Sequence, residues 1–99
     1  MKKIVLFCMA GLSTSILVEK MREAAKIKGF ECTVDAYAIG NAAKEGADAD
    51  MVLLGPQVRL QLDQIKSLLN CPVEVVDMMA YGMMDGKQVI ERVIEVIGE

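Results

Sequence analysis

Apolar residues fall in short, uninterrupted runs, and each run is followed by a stretch of helical period. Lys3 to Phe7 is the first run, and it suits a strand buried on both faces. Cys8-Met9-Ala10-Gly11-Leu12 then reads as a turn, with Ser13 placed to cap a helix. In that helix Leu17, Met21, Ala24 and Ala25 recur at helical spacing. Glu19, Lys20, Arg22, Glu23 and Lys26 take the other side, and Gly29 stops the helix. Glu31 to Ala36 predicts a second strand and Gly40 to Gly46 a short, weak helix. Met51 to Leu54 predicts a third strand, and Gly55-Pro56 puts proline at a first helical position. Val58, Leu62, Ile65 and Leu69 form the stripe of the helix after it. Val73 to Val76 is a fourth strand, followed by a loop. Asp85 with Gln88 resembles a capping box, opening a last helix whose Val89, Ile90, Val93, Ile94 and Ile97 face inward.

Strands alternating with helices imply a parallel sheet covered on both faces. The expectation is an α/β, flavodoxin-like three-layer sandwich with a four-stranded parallel sheet in the order 2-1-3-4. That order puts strand 1 inside the sheet and Cys8 at its carboxyl end, the switch point where such folds bind ligands.

Composition narrows the function. With 99 residues, 54% of them hydrophobic, the chain is expected to be one domain over residues 1–99. The net charge of −3 and the lack of a basic run disfavour nucleic acid. Aromatics, at 4%, are too few for base stacking. The absence of histidine removes the usual general base, the usual zinc ligand and any phosphohistidine on this chain. Cys8, Cys32 and Cys71 lie too far apart for a metal motif or a disulfide framework, and suit a reducing cytosol. No metal or cofactor is expected. Met1-Lys2-Lys3 before Ile4 to Leu12 looks like the start of a secretory signal, but Ser13-Thr14-Ser15 and the charges from Glu19 onward fit it poorly. No stretch has the ~18 apolar residues a membrane span needs.

Cys8 to Ser15 carries the candidate chemistry. It is a strand-to-helix loop with a nucleophile at its start. Backbone N–H groups near a helix N-terminus favour an anion, and Gly11 relaxes the local backbone. Ser13, Thr14 and Ser15 add hydroxyl donors. A thiol placed there ionises more readily, and the thiolate is the nucleophile. A phosphoryl group on the sulfur would meet the same donors. The plainer alternative is a buried cysteine before an ordinary capped helix.

Phe7-Cys8-Met9-Ala10-Gly11-Leu12-Ser13-Thr14-Ser15 resembles the phosphorylation loop of IIB components of the lactose/cellobiose/chitobiose family of the bacterial sugar phosphotransferase system. Val52 to Gln57, Pro72 to Asp77, Tyr81-Gly82 and Asp85-Gly86 are similar to later segments of that family, in the same order, whereas Tyr37 to Ala49 shows little likeness. The resemblance implies a protein-N(pi)-phosphohistidine–sugar phosphotransferase component. Cys8 would accept a phosphoryl group from a histidine of the IIA component and pass it to sugar in the membrane IIC component. A β-linked disaccharide such as cellobiose or chitobiose is the implied sugar, and the cytoplasm the implied location. Met9, Ala10, Gly11, Leu12, Ser13, Thr14 and Ser15 would form the phosphate cradle. Met9, Leu12, Met78, Met79 and Tyr81, with Gln57 at the border, would ring the docking face.

Two alternatives stand beside this one. A phosphocysteine sensor domain regulating a partner would usually be fused to an effector. A low-molecular-weight phosphatase would have arginine six residues after the cysteine, and Thr14 stands there. A receiver domain would need aspartate at the end of strand 3, where Leu54-Gly55 stands, and a flavodoxin proper would carry more aromatics around its flavin. Cys32 and Cys71 read as packing residues. Gly55-Pro56-Gln57 either borders the site or only starts a helix. Met78, Met79, Met83 and Met84 gather in the loop after strand 4, either as an adaptable docking surface or as cover for the core.

Overall fold

The computed structural model describes residues 1–9 and 15–98. The expected cap Ser13 and the cradle residues Ala10, Gly11, Leu12, Ser13 and Thr14 lie outside the described residues. In chain order the elements are β1 (Lys2–Cys8), α1 (Ser15–Lys28), β2 (Cys32–Ala38), a 3-10 turn (Ile39–Asn41), α2 (Ala42–Glu45) and β3 (Met51–Leu54). A 3-10 segment (Pro56–Gln61), α3 (Leu62–Leu68), β4 (Val73–Val75), α4 (Met78–Gly82) and α5 (Gly86–Ile97) follow.

The sheet order is β2-β1-β3-β4, and every pairing is parallel. This is the expected doubly wound arrangement. Alternation along the two inner strands divides the core between the faces. Ile4, Leu6, Met51 and Leu53 pack with Leu17, Val18 and Met21 of α1 and with Val89, Ile90 and Val93 of α5. Val5, Phe7, Val52 and Leu54 pack on the opposite face with Ala42, Val58, Ile65 and Leu69. Both inner strands are therefore apolar at successive positions, which a strand covered on two sides requires.

Local chemistry explains where several elements stop. Gly29 takes φ 70°, a left-handed conformation that glycine adopts without steric cost, at the end of α1. Asp85 Oδ1 accepts from the Gln88 amide at 3.1 Å, so the expected cap opens α5.

Three departures from the sequence pattern have physical causes. The helix expected after Gly55 begins as a 3-10 segment with a break at Val58 (φ −113°, ψ 20°), and only Leu62–Leu68 is α-helical. Val58 and Ile65 are still buried, so the stripe serves its purpose across the break. β2 runs on to Ala38, because its last residues pair with Phe7 and Cys8 of β1. The methionine-rich segment after β4 is not a loop throughout. Met78–Gly82 is a short helix, capped by Asp77 Oδ2 accepting from the Ala80 amide at 3.0 Å. Beyond its end lies Met84, whose φ of 54° is costly for a side chain with a Cβ. Met84 packs against the core in return.

Candidate functional site

Cys8 is the last residue of β1. On one side it is in register with Ala38 of β2, and its neighbour Phe7 pairs on the other side with Leu54 of β3. The chain leaves β1 toward β2 and later returns to the opposite side to form β3. Cys8 thus stands at the carboxyl edge where the connections diverge, with α1 following in sequence. The switch-point position expected for this residue is the observed one.

Neighbouring segments wall the site. The Gly55 amide donates to Phe7 O at 2.9 Å, extending the β1–β3 ladder by one bond and setting Gly55 beside Cys8. A methyl group at Gly55 would lie 3.6 Å from Cys8 Cβ, 3.6 Å from Tyr81 Cε2 and 3.1 Å from Gln57 Oε1. Cys8, Gly55, Gln57 and Tyr81 therefore meet around one small volume. Pro56 opens a 3-10 segment, and its flanks Gly55 and Gln57 lie beside Cys8.

Burial sorts the residues expected to ring the site. Met9, Met78 and Met79 are 73%, 63% and 73% exposed, so these apolar side chains face solvent. Gln57 is exposed as well. Tyr81 is different: it is only 7% exposed and belongs to the core cluster on the α1 side. It lines the site from within. Ile16, in the first turn of α1, is 57% exposed, and a single apolar residue at a helix start carries no pattern in the sequence. Asp77 spends its carboxylate on the α4 cap, which gives it a structural task.

Cys8 itself is 1% exposed. All three cysteines are thiols rather than disulfides. Burial pushes the Cys32 thiol above the ordinary range, and burial, aided by the charge of Asp50, does the same for Cys71. Both are thereby held as protonated thiols near neutral pH. Among the described residues, no three His, Cys, Asp or Glu side chains gather as a metal site requires.

Fold and site together define a class: a doubly wound parallel α/β domain with a cysteine at the switch point, ahead of a helix. Residues 3–92 match the family described as "PTS system, Lactose/Cellobiose specific IIB subunit". The chain is 43% identical over 100 residues to the oligo-beta-mannoside-specific EIIB component of Bacillus subtilis, covering 98% of this chain and 97% of that one. It is 35% identical over 97 residues to the cellobiose-specific EIIB component of Lactococcus lactis, covering 90% of each. The lactose-specific IIB domain structure from Streptococcus pneumoniae superposes with a TM-score of 0.85 over 97% of both chains at 19% identity, a likeness of fold. The solution structure of a cellobiose-specific IIB protein from Borrelia burgdorferi gives a TM-score of 0.73 at 28% identity, over 96% of this chain and 90% of that one. The chain belongs to the lactose/cellobiose-specific IIB family of the sugar phosphotransferase system, and is a sugar-specific phosphotransferase component of that type. Among the described residues, no helix is long and apolar enough to cross a membrane.

Proposed function

We propose that this chain is a cytoplasmic phosphoryl carrier whose acceptor atom is Cys8 Sγ. One observation carries this reading: Cys8 ends an inner strand at the switch point of the sheet, whereas Cys32 starts the edge strand β2 and Cys71 lies between α3 and β4. In the first half-reaction the N–P bond of a phosphohistidine on the IIA component breaks as an S–P bond forms. The Cys8 proton goes to the imidazole nitrogen that is released. In the second, a sugar hydroxyl bound by the membrane IIC component attacks phosphorus. The S–P bond breaks, and the hydroxyl proton returns to sulfur. The backbone around Met9, Ala10, Gly11, Leu12, Ser13, Thr14 and Ser15 supplies N–H donors to the phosphoryl oxygens. Thr14 in place of a phosphatase arginine leaves no guanidinium to hasten loss of phosphate to water. The sugar is a β-linked oligosaccharide, in keeping with the oligo-beta-mannoside and cellobiose named for the relatives.

Both partners must reach Cys8 across the same rim. Met9, Leu12, Met78 and Met79, with Gln57 at the border and Tyr81 supporting the floor, form the docking face. Flexible thioethers suit one small surface that serves two partners in turn.

The test is reconstitution with phosphoenolpyruvate, the general phosphotransferase proteins, a matching IIA, IIC membranes and a panel of β-linked sugars. Wild-type protein should carry label on Cys8 in peptide maps, and Cys8→Ser should fold but pass none to sugar. Label on Cys32 or Cys71, or full transfer by the variant, would refute the assignment.

A further inference from the structure

The space beside Cys8 is shaped as much by a missing side chain as by those present. One methyl group at Gly55 would touch Cys8 Cβ, the Tyr81 ring edge and the Gln57 carboxamide, at 3.6, 3.6 and 3.1 Å. Gln57 is at the surface, yet its side chain folds back over Gly55 toward the thiol residue. Its backbone is held by the 3-10 segment: Val58 N–H donates to Gly55 O at 3.0 Å, and Arg59 Nη1 donates to Pro56 O at 3.1 Å. A carboxamide offers two N–H donors and one acceptor oxygen, and which end faces a partner is set by that partner. A phosphoryl oxygen on Cys8 would stand three bonds from Cβ, long enough to cross a gap that a single methyl would fill. A phosphoryl dianion can only accept hydrogen bonds, so it selects the amino end of the carboxamide.

We propose that Gln57 is a ligand of the transferred phosphoryl group, donating from Nε2 to one of its oxygens, and that Gly55 is glycine because a phosphoryl oxygen occupies the volume a Cβ would take. This rests on Cys8 being the carrier. The chemistry favours a neutral donor here. Phosphorus passes between nitrogen, sulfur and oxygen while its peripheral oxygens keep their charge, so the same N–H serves both half-reactions. An amide steadies that charge without the cation that promotes loss of phosphate to water. The ring edge of the buried Tyr81 bounds the same slot.

The experiment uses the full chain with saturating phosphorylated IIA, so that weaker docking raises KM without lowering the limiting rate. The variants are Gln57→Met, which keeps length but loses the donor, Gln57→Glu, which adds a negative charge, and Gly55→Ala, which fills the slot. Losing one hydrogen bond to a charged group should slow limiting transfer to Cys8 about tenfold or more in Gln57→Met. Gln57→Glu should be slower still at neutral pH. As pH falls through the usual glutamate pKa of about 4.3, protonation gives this side chain an O–H donor of its own, so its rate should rise above that of Gln57→Met toward the wild-type value. Gly55→Ala should fold, because the tightest contact of its methyl is the mobile end of Gln57, but transfer slowly. In wild-type protein the Gln57 side-chain amide resonance should move on phosphorylation. If Cys8 is labelled but Gln57→Met and Gln57→Glu keep the wild-type limiting rate and the resonance does not move, this inference falls alone. If wild-type Cys8 takes no label, the carrier reading falls, and this one with it.

Discussion

Gly86→Ala opposes helix propensity to packing at one buried position. Gly86 is the first residue of α5 and lies against the middle of α1. A Cβ there would stand 2.3 Å from Lys20 C, 2.4 Å from Met21 N and 2.6 Å from Lys20 Cβ. Two of these are backbone atoms and the third is fixed to the backbone, so no rotamer change relieves the clash. The helices must separate, loosening the core to which Met21 of α1 and Val89 and Ile90 of α5 all belong. Overpacking of this kind costs about 1–3 kcal/mol, and these contacts place it at the upper end. Propensity works the other way, since alanine exceeds glycine by up to about 1 kcal/mol inside a helix. The net expectation is a loss of roughly 1–2 kcal/mol, or a fall of roughly 5–15 °C in Tm for a domain of this size. Gly82→Ala is the matched control: it lies in α4, and nothing is within 4 Å of its added Cβ. It should hold or raise Tm. Thermal unfolding followed by circular dichroism, with urea titration as a check, measures both. Gly86→Ala at or above the wild-type Tm would refute the reasoning, as would equal losses at the two positions.

Three further outcomes are expected. Asp77→Ala removes the α4 cap and should cost about 0.5–2 kcal/mol, while its limiting rate of phosphoryl transfer stays at the wild-type value; a large loss of rate at unchanged stability would give Asp77 a chemical task instead. The raised pKa values of Cys32 and Cys71 keep both as thiols through neutral pH, so their alkylation should stay slow until the pH rises past the ordinary thiol range; mass mapping of native protein against pH checks this, and fast modification at neutral pH would contradict it. Adding IIA to isotope-labelled protein should move amide resonances at Met9, Met78 and Met79 with weak affinity, whereas shifts centred on Val93 would place the docking face elsewhere.

Much of this fold is legible in the chain because its determinants are local. The apolar runs Lys3 to Phe7 and Met51 to Leu54 are long enough to mark inner strands, Gly29 marks a helix end, and Asp85 with Gln88 marks a helix start. Alternating element types then limit the topology, which is why the sequence alone places Cys8 at the switch point. Other features needed the tertiary structure. Met78–Gly82 is too short for a helical period to show, and its cap and the burial of Tyr81 decide it. The break at Val58 is invisible in an apolar stripe that continues on either side. The site around Cys8 draws on β1, on Gly55 and Gln57 after β3, and on Tyr81 after β4, segments with no local relation. Sequence supplies a cysteine at a strand end and a helix start soon after it. Only the parallel pairing of β1 with β3, and the packing of α4 on the α1 face, brings Gln57 and Tyr81 to the same few ångströms, because contacts between distant segments are fixed by shared burial and not by neighbours along the chain.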